Sequence, residues 1–341
     1  MKAALLRTRG RDGLGVCNVD MPVRKPGEVL VRIRAAALNR VDLYMRDNGA
    51  GITHDLPIIL GVEGAGEIVE TDAGSALTAG AKAILYTARY CGRCRYCLAG
   101  EQPLCESTKI AGEHCDGTFA EFICLPERSV IPLPADADLV EAASIGSAYV
   151  TAWRMLFGKR ALRPGEKVLI VGIGGGVAVA CLQLARLAGA QALVTSSSDA
   201  KLARAAEMGA AGGVNYRTER VAKRVLEFTG GEGVDMVIDS VGGASWGESL
   251  RSLRRGGRLV TCGATMDPNP PADLQRMFIR QLEVYGSTGG NVTEFHAMLK
   301  VYLRGGFQPV IDRRYPLADI GAAFDRLERG EQFGKLVVTM D

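Results

Sequence analysis

The stretch VLIVGIGGGVAVA, residues 168–180, restricts the fold more than any other part of the chain. Four apolar residues run into a turn filled by Gly172, Gly174, Gly175 and Gly176, and a second apolar run follows. A short strand passing through such a turn into a helix is a β–turn–α unit. Glycines let the backbone approach a pyrophosphate closely. The helix start, with amides such as that of Val177, offers N–H donors and a positive dipole end. The spacing departs from G-x-G-x-x-G, because Val177 stands at the third glycine position. Counted from Gly172 through Gly175 to Ala178, a small residue falls where the helix packs on the strand. A glycine cluster alone says little, but context strengthens it. Five more short apolar segments follow: ALVTSS, GVNY, VDMVID, GRLVTCG and LEVYGS. Helical segments such as DAKLARAAEMGA, ERVAKRVLEFTGG and ESLRSLRRGG separate them. This rhythm predicts an α/β domain with a doubly wound parallel sheet of the Rossmann kind.

The end of the second strand bears on the cofactor. An acid there binds the ribose 2′-hydroxyl and favours NAD. Here Ser196 stands 24 residues after Gly172, followed by Ser197, with Lys201 just beyond. Small hydroxyls and a lysine leave room for a 2′-phosphate, so NADP(H) is expected over NAD(H). Asp199 is read instead as the cap of the next helix. Ser240 and Gly263 follow the fourth and fifth strands, at the carboxyl ends where the cofactor passes.

Ahead of about residue 160 the character differs. Pieces such as EVLVRIRAAAL, PIILGVEGAGEIVE, AKAILY and GTFAEFICLP alternate with Gly and Pro turns, which predicts a barrel-like β domain. The closing KLVVTM reads as a strand that rejoins it. With 341 residues, two domains of ordinary size are expected. A net charge of +3, with arginines spread along the chain, gives no reason to expect a nucleic-acid partner. No apolar run is long enough to span a bilayer, and the N-terminus lacks a secretory pattern. Neither a membrane nor export is therefore expected, and the default location is cytoplasmic.

Four of the nine cysteines crowd into CGRCRYCLAGEQPLC. Cys91, Cys94, Cys97 and Cys105 follow C-x2-C-x2-C-x7-C. Four thiolates suit a closed tetrahedral Zn²⁺ site, one per chain, with no position open to water or substrate. An iron–sulfur cluster is the alternative, but nothing else in the chain suggests electron transfer. Such a metal fixes a lobe, near residues 89–108, that lacks a core of its own. Cys181 and Cys262 lie in apolar segments and read as buried small hydrophobes.

Together these motifs resemble the medium-chain dehydrogenase/reductase superfamily, which joins a GroES-like domain to a Rossmann domain. LGVEGAGEIVE, DGTFAEF, YVTAW, GVDMVIDSVGG and GKLVVTM add to the likeness. The resemblance implies a GroES-like catalytic domain over residues 1–140 and 290–341 and a Rossmann domain over 141–289. It places Thr151 near the nicotinamide, sets Tyr216 beside the adenosine phosphate and suggests a symmetric homodimer through LEVYGS. It also implies a second, catalytic zinc in many members. Where they carry Cys, His and Cys, this chain has Asn39, Val62 and Ser147. None of its three histidines, His54, His114 and His296, falls at a ligand position. The segment LNRVDLYMRDNG resembles zinc-free quinone oxidoreductases instead.

Alcohol oxidation needs a base or metal to accept a poorly acidic proton. Reduction of a quinone or an α,β-unsaturated carbonyl asks less, because the developing charge spreads into the product and a hydrogen-bond donor can stabilise it. By resemblance, Asn39 and Tyr44 are the expected donors. Asp42 is expected to pair with an arginine or a backbone N–H. The leading expectation is an NADPH-dependent quinone or enone reductase with one structural zinc. A zinc alcohol dehydrogenase with unusual ligands (Glu63, Asp42 and a histidine) and a nucleotide-binding protein with little turnover are the alternatives.

Overall fold

The computed structural model describes residues 1–49 and 55–340, so His54 lies outside the described residues. The chain divides into two compact units: Met1–Ala148 with Asn291–Phe295 and Gln308–Asp341, and Tyr149–Gly290 with His296–Phe307. The boundary thus falls at 148/149 rather than 140/141, and residues 296–307 go with the second unit. Ring packing explains the latter: Phe307 stacks on Tyr149 at 4.7 Å and also touches Tyr302.

In the first unit, the strand Glu28–Leu38 is the spine. Its alternation of buried and less buried residues becomes continuous burial from Ala35, where both faces are covered. It pairs antiparallel with Gly64–Glu70, Phe122–Pro126 and the closing strand Lys335–Thr339. KLVVTM therefore rejoins the first unit as expected. Val31, Ile33, Leu60, Phe119, Phe324 and Val338 belong to the core these strands enclose. At Leu38 the strand ends and the helix Arg40–Asp47 begins. Asp42, at its third position, accepts the N–H of Asn39 at 2.7 Å, so an otherwise orphaned helix-start donor is satisfied.

The second unit is a six-stranded, all-parallel sheet. Its spatial order is Gly212–Asn215, Gln191–Ser196, Lys167–Ile170, Val234–Ile238, Leu253–Thr261 and Glu283–Gly286. All six expected strands form, and the chain order reverses beside Lys167–Ile170, the switch point of a Rossmann sheet. The helix expected through ESLRSLRRGG stops at Ser252. LRRGG instead opens the fifth strand through a register shift, where Gly256 takes φ +64 and bends the backbone. Among the described residues no helix is long and apolar enough to cross a membrane.

Candidate functional site

The cysteine lobe is built from short pieces: a helix Arg95–Leu98 with Cys94 at its N-cap, a 3₁₀ turn Gln102–Leu104, and a strand pair Ala88–Arg89 with Lys109–Ile110. Its apolar residues point outward, Leu98 at 76% and Leu104 at 48% exposure, so it has little core to hold it. The four sulfur atoms of Cys91, Cys94, Cys97 and Cys105 lie within 4.8 Å of one another. Four sulfurs around one zinc sit about 3.8 Å apart, and Cys91 and Cys97 are 3.9 Å apart. The Cys91 sulfur accepts the N–H groups of Arg93 and Cys94, and these bonds draw its pKa down to about 6. Burial pushes Cys97 the other way, to about 12, an opposition that a bound cation would relieve. Donor type, number and spacing all fit zinc. Among the described residues this is the only such cluster.

The glycine turn opens a helix, Gly176–Leu187, whose N-cap Gly175 has no side chain to cap it. The first intrahelical bond is Val179 N–H to Gly175 O, so the amides of Gly176, Val177 and Ala178 face out of the helix end. Gly172 and Gly174 take φ +78 and +116, the left-handed region that glycine enters without strain. Thr195 clamps the turn from the neighbouring strand, its hydroxyl accepting Gly172 N–H at 3.1 Å and its carbonyl accepting Ile173 N–H at 2.7 Å. Ala178 is buried, as the small third position requires.

A cleft of 330 Å³ opens beside this turn. Gly172, Thr195, Tyr216, Val241, Ser245 and Met266 are among its lining residues. Tyr216, 53% exposed, presents a ring to it. Of the other expected cofactor contacts, Ser240 and Gly263 are brought together, since a Cβ on Gly263 would lie 3.6 Å from Ser240 O. Ser196 ends its strand and is buried, Ser197 is half-buried, and Lys201 sits in the first turn of the helix Asp199–Glu207. These three stand beside the cleft in sequence but do not line it. Thr151 is buried on the helix Ala148–Trp153. Asp199 does not cap its helix. Ser198 does, accepting Lys201 N–H, while Asp199 accepts from Asn215 Nδ2 at 2.7 Å.

Asp239 was missed by the sequence reading. Fully buried, it accepts from Val241 N, Gly242 N, Ser245 Oγ and Ser249 Oγ at 2.7–3.0 Å. It thereby shapes the loop that lines the cleft. An acid directly after an apolar strand, followed by glycines and serines, was its trace in VIDSVGGAS.

At the positions where the resemblance implies a second metal, the donors are spent on one another. The Glu63 carboxylate, completely buried, lies 2.6 Å from the Lys335 ammonium. Its Oε1 also accepts Asn39 Nδ2 at 2.7 Å, and its Oε2 accepts Ser147 N–H at 2.6 Å. Lys335 directs its remaining bonds to Leu38 O at 2.6 Å and Asn39 Oδ1 at 2.8 Å. The second amide hydrogen of Asn39 goes to Ala37 O. Asn39 therefore has no amide donor left for a substrate, which corrects the expectation for it. Its polar atoms were needed to satisfy a buried ion pair. Tyr44 also departs from expectation: its ring packs against the first unit's core and its hydroxyl is sealed from solvent. Asp42 uses the Asn39 N–H rather than an arginine, and burial pushes its pKa up to about 7. A catalytic zinc does not fit this place: Asn39, Val62 and Ser147 bring no thiolate or imidazole, and Glu63 is already paired. Lys335 also escaped the sequence reading, although a lysine opening an apolar closing strand was visible.

Comparison with known proteins adds two family models: "Alcohol dehydrogenase GroES-like domain" over residues 25–135 and "Zinc-binding dehydrogenase" over residues 176–304. An alcohol dehydrogenase of Geobacillus stearothermophilus is 32% identical, with each chain covered completely. An acryloyl-coenzyme A reductase of Metallosphaera sedula is 29% identical over 99% of this chain and 100% of that one. A solved NAD-dependent alcohol dehydrogenase superposes with a TM-score of 0.95 at 36% identity, covering all of both chains.

Proposed function

The chain belongs to the zinc-type alcohol dehydrogenase-like branch of the medium-chain dehydrogenase/reductase superfamily, and within it we propose a reductase that transfers hydride from NADPH to a quinone or an α,β-unsaturated carbonyl compound without a catalytic metal. The observation that carries this reading is the closed triangle of Asn39, Glu63 and Lys335, standing where a catalytic zinc is otherwise expected. The likeness to an acryloyl-coenzyme A reductase agrees with it.

The nicotinamide, when bound, supplies the hydride. The chain's own residues do the rest. The amides of Gly176, Val177 and Ala178 receive the pyrophosphate at the helix end, and Tyr216 flanks the adenosine. Lys335 neutralises Glu63, and together they hold Asn39, so this place is closed on its own side chains and offers no ligand to a metal. The cysteine lobe takes no part in the chemistry; its zinc would hold the loop.

NADP(H) is the proposed cofactor. Ser196 places no negative charge at the ribose, and Asp199 is occupied by Asn215. Arg220 lines the cleft, and Lys201 sits in the first turn of the helix that follows Ser196. A homodimer is proposed through the sheet edge at Glu283–Gly286, beside which the helix Leu274–Arg280 exposes Leu274, Phe278 and Ile279.

Zinc per chain, measured by elemental mass spectrometry on freshly purified protein, tests the metal-free reading. One zinc is expected, together with NADPH oxidation by a panel of quinones and enones. The second reading, a zinc alcohol dehydrogenase, is favoured by the names of several relatives. Two zincs per chain and alcohol-dependent reduction of NAD(P)⁺ would establish it instead. A larger kcat/KM with NADH than with NADPH would overturn the cofactor assignment.

A further inference from the structure

The second unit holds a groove of about 740 Å³ besides the cofactor cleft, and Arg220 lines both. Arg220, Lys223, Arg251, Arg276 and Arg280 line the groove against one carboxylate, Glu227. The rest of its lining, Ala222, Leu226, Gly230 and Gly231, carries no charge.

The walls draw on three helices, Val221–Phe228, Ala244–Ser252 and Leu274–Arg280. Arg276 and Arg280 stand one turn apart on the third and share a face. The exposed Leu274 and Phe278 lie on nearly the opposite face, so the apolar side proposed for the homodimer is not the groove side. Arg276 donates from Nε to Leu250 O and from Nη2 to Arg251 O, both at 3.0 Å, and Arg280 Nη1 donates to Leu253 O at 3.4 Å. These carbonyls end the helix Ala244–Ser252, where backbone acceptors lack intrahelical partners. Capping that end accounts for part of what the two arginines do. It occupies few of the five N–H donors each guanidinium carries, and it fixes both groups in place.

Neither Arg276 nor Arg280 joins an ion pair among the described residues. Burial and the charges of Arg280 and Arg251 lower the pKa of Arg276, while Asp273, whose carboxylate accepts the Arg276 N–H at 3.0 Å, opposes them. The other three cations share two carboxylates. Glu248 Oε1 lies 3.3 Å from Arg251 and 3.6 Å from Arg220, and Glu227 serves both Lys223 at 3.9 Å and Arg224 at 2.6 Å. Positive charge is therefore in excess here. Arg224 and Arg254 do not line the groove, and each has an acid of its own, Glu219 at 2.8 Å and Asp235 at 2.6 Å. The excess is thus a pocket of charge rather than the long basic stripe that a nucleic acid follows. Guanidiniums already held in place match phosphate oxygens in pairs of hydrogen bonds, with little ordering left to do.

We propose that this groove binds a small anion carrying two or more linked phosphates, and that the bound anion draws Arg220 away from the cofactor cleft and so weakens the hold on the cofactor. A phosphate offers Arg220 more charge than the carboxylate of Glu248, which it shares with Arg251. The site stands on the groove alone, whereas its effect on the cofactor rests on the NADP(H) reading above.

Isothermal titration of the full-length, zinc-loaded protein with inorganic tripolyphosphate at low salt tests the site. One anion per chain should bind, far more tightly than orthophosphate, and added salt should weaken it. R276Q and R280Q should each weaken binding about 10-fold. K223Q removes an exposed charge with no bond to the backbone, so it should fold normally and weaken binding about 3-fold; it decides the matter if R276Q does not fold. Absence of binding, or affinity unchanged in K223Q and in each arginine variant that folds, overturns the site; the latter result would put the anion at the glycine turn. Tighter binding of a short DNA duplex than of tripolyphosphate overturns the choice of a small ligand. Saturating tripolyphosphate should raise the NADPH Kd about 5-fold in wild type and leave it unchanged in the double variant R276Q/R280Q. An unchanged Kd in wild type overturns the effect on the cofactor, and so does an equal rise in the double variant. If NADPH does not bind at all, the cofactor reading fails while the titration still decides on the site.

Discussion

The cysteine lobe and the Asn39–Glu63–Lys335 triangle both tie loops of the first unit together, but they draw on different parts of the chain. The lobe takes its four donors from Cys91 to Cys105. The triangle joins residues 39, 63 and 335, which lie far apart in sequence, and the Ser147 N–H adds to it at Glu63. In the lobe, four sulfurs converge with no cation among them and call for one from outside. In the triangle, the cation is part of the chain, and every donor already meets an acceptor. A place that closes on its own side chains needs no metal, however much the surrounding fold resembles one that binds it.

Four substitutions press on this contrast. The largest effect is expected from Cys94→Ala. Structural zinc contributes an apparent 10–16 kcal/mol to small metal-held folds, so the variant should lose zinc and soluble yield, with activity falling only as the folded fraction does. Normal stability with lost turnover would move the lobe into the chemistry. Next comes Lys335→Met, which leaves Glu63 charged and without a cation in the interior. Urea unfolding should show a loss of about 3–5 kcal/mol. Lys335→Arg should recover part of it, and Glu63→Gln added to Lys335→Met should soften it. A loss below about 1 kcal/mol would mean that the triangle is ornamental.

Asp42→Asn should act through pH. The folded acid holds its proton up to about 7 against an ordinary value of 3.8. Folding is therefore favoured by that proton at low pH, and this contribution is lost as pH rises through 7. Each pKa unit is worth about 1.4 kcal/mol, which bounds the effect at about 4 kcal/mol. The variant should gain on wild type as the pH of the unfolding series is raised from 4 to 8; parallel curves would sink the claim. The smallest effect is expected from Tyr44→Phe, because the hydroxyl is sealed and the ring packs on the core. Steady-state kcat should stay within about 3-fold, well short of what removal of a proton donor costs. A loss of 10²-fold would restore Tyr44 as a donor to substrate.

The same contrast explains what could be read from the sequence. The lobe and the glycine turn are local: their residues are neighbours in the chain, and spacing alone specifies the geometry. The six strands were legible for the same reason, since most are short apolar runs closed by glycine or serine. The triangle is not local. Asn39 could be seen to replace a ligand, but its amide could be assigned only once Lys335, 296 residues later, was found beside it. The same holds for Asp199, whose partner Asn215 lies on the adjacent strand. Side chains whose role depends on a distant partner leave little trace in a single sequence.

A Cβ on Gly112 or on Gly117 would collide with the Gly61 carbonyl, and this clasp of backbone on backbone has a practical consequence. The two glycines act as rivets at either end of a four-residue bracket, Glu113 to Asp116. Because the rivets are backbone, Glu113 can be exchanged without altering how the bracket is mounted, whereas His114 accepts Ile110 N–H, Cys115 packs against the core and Asp116 accepts Ile59 N–H. A library randomised at 113 should yield mostly folded proteins, and it offers a direct place to re-tool this scaffold with an acid, a base or an apolar group of choice.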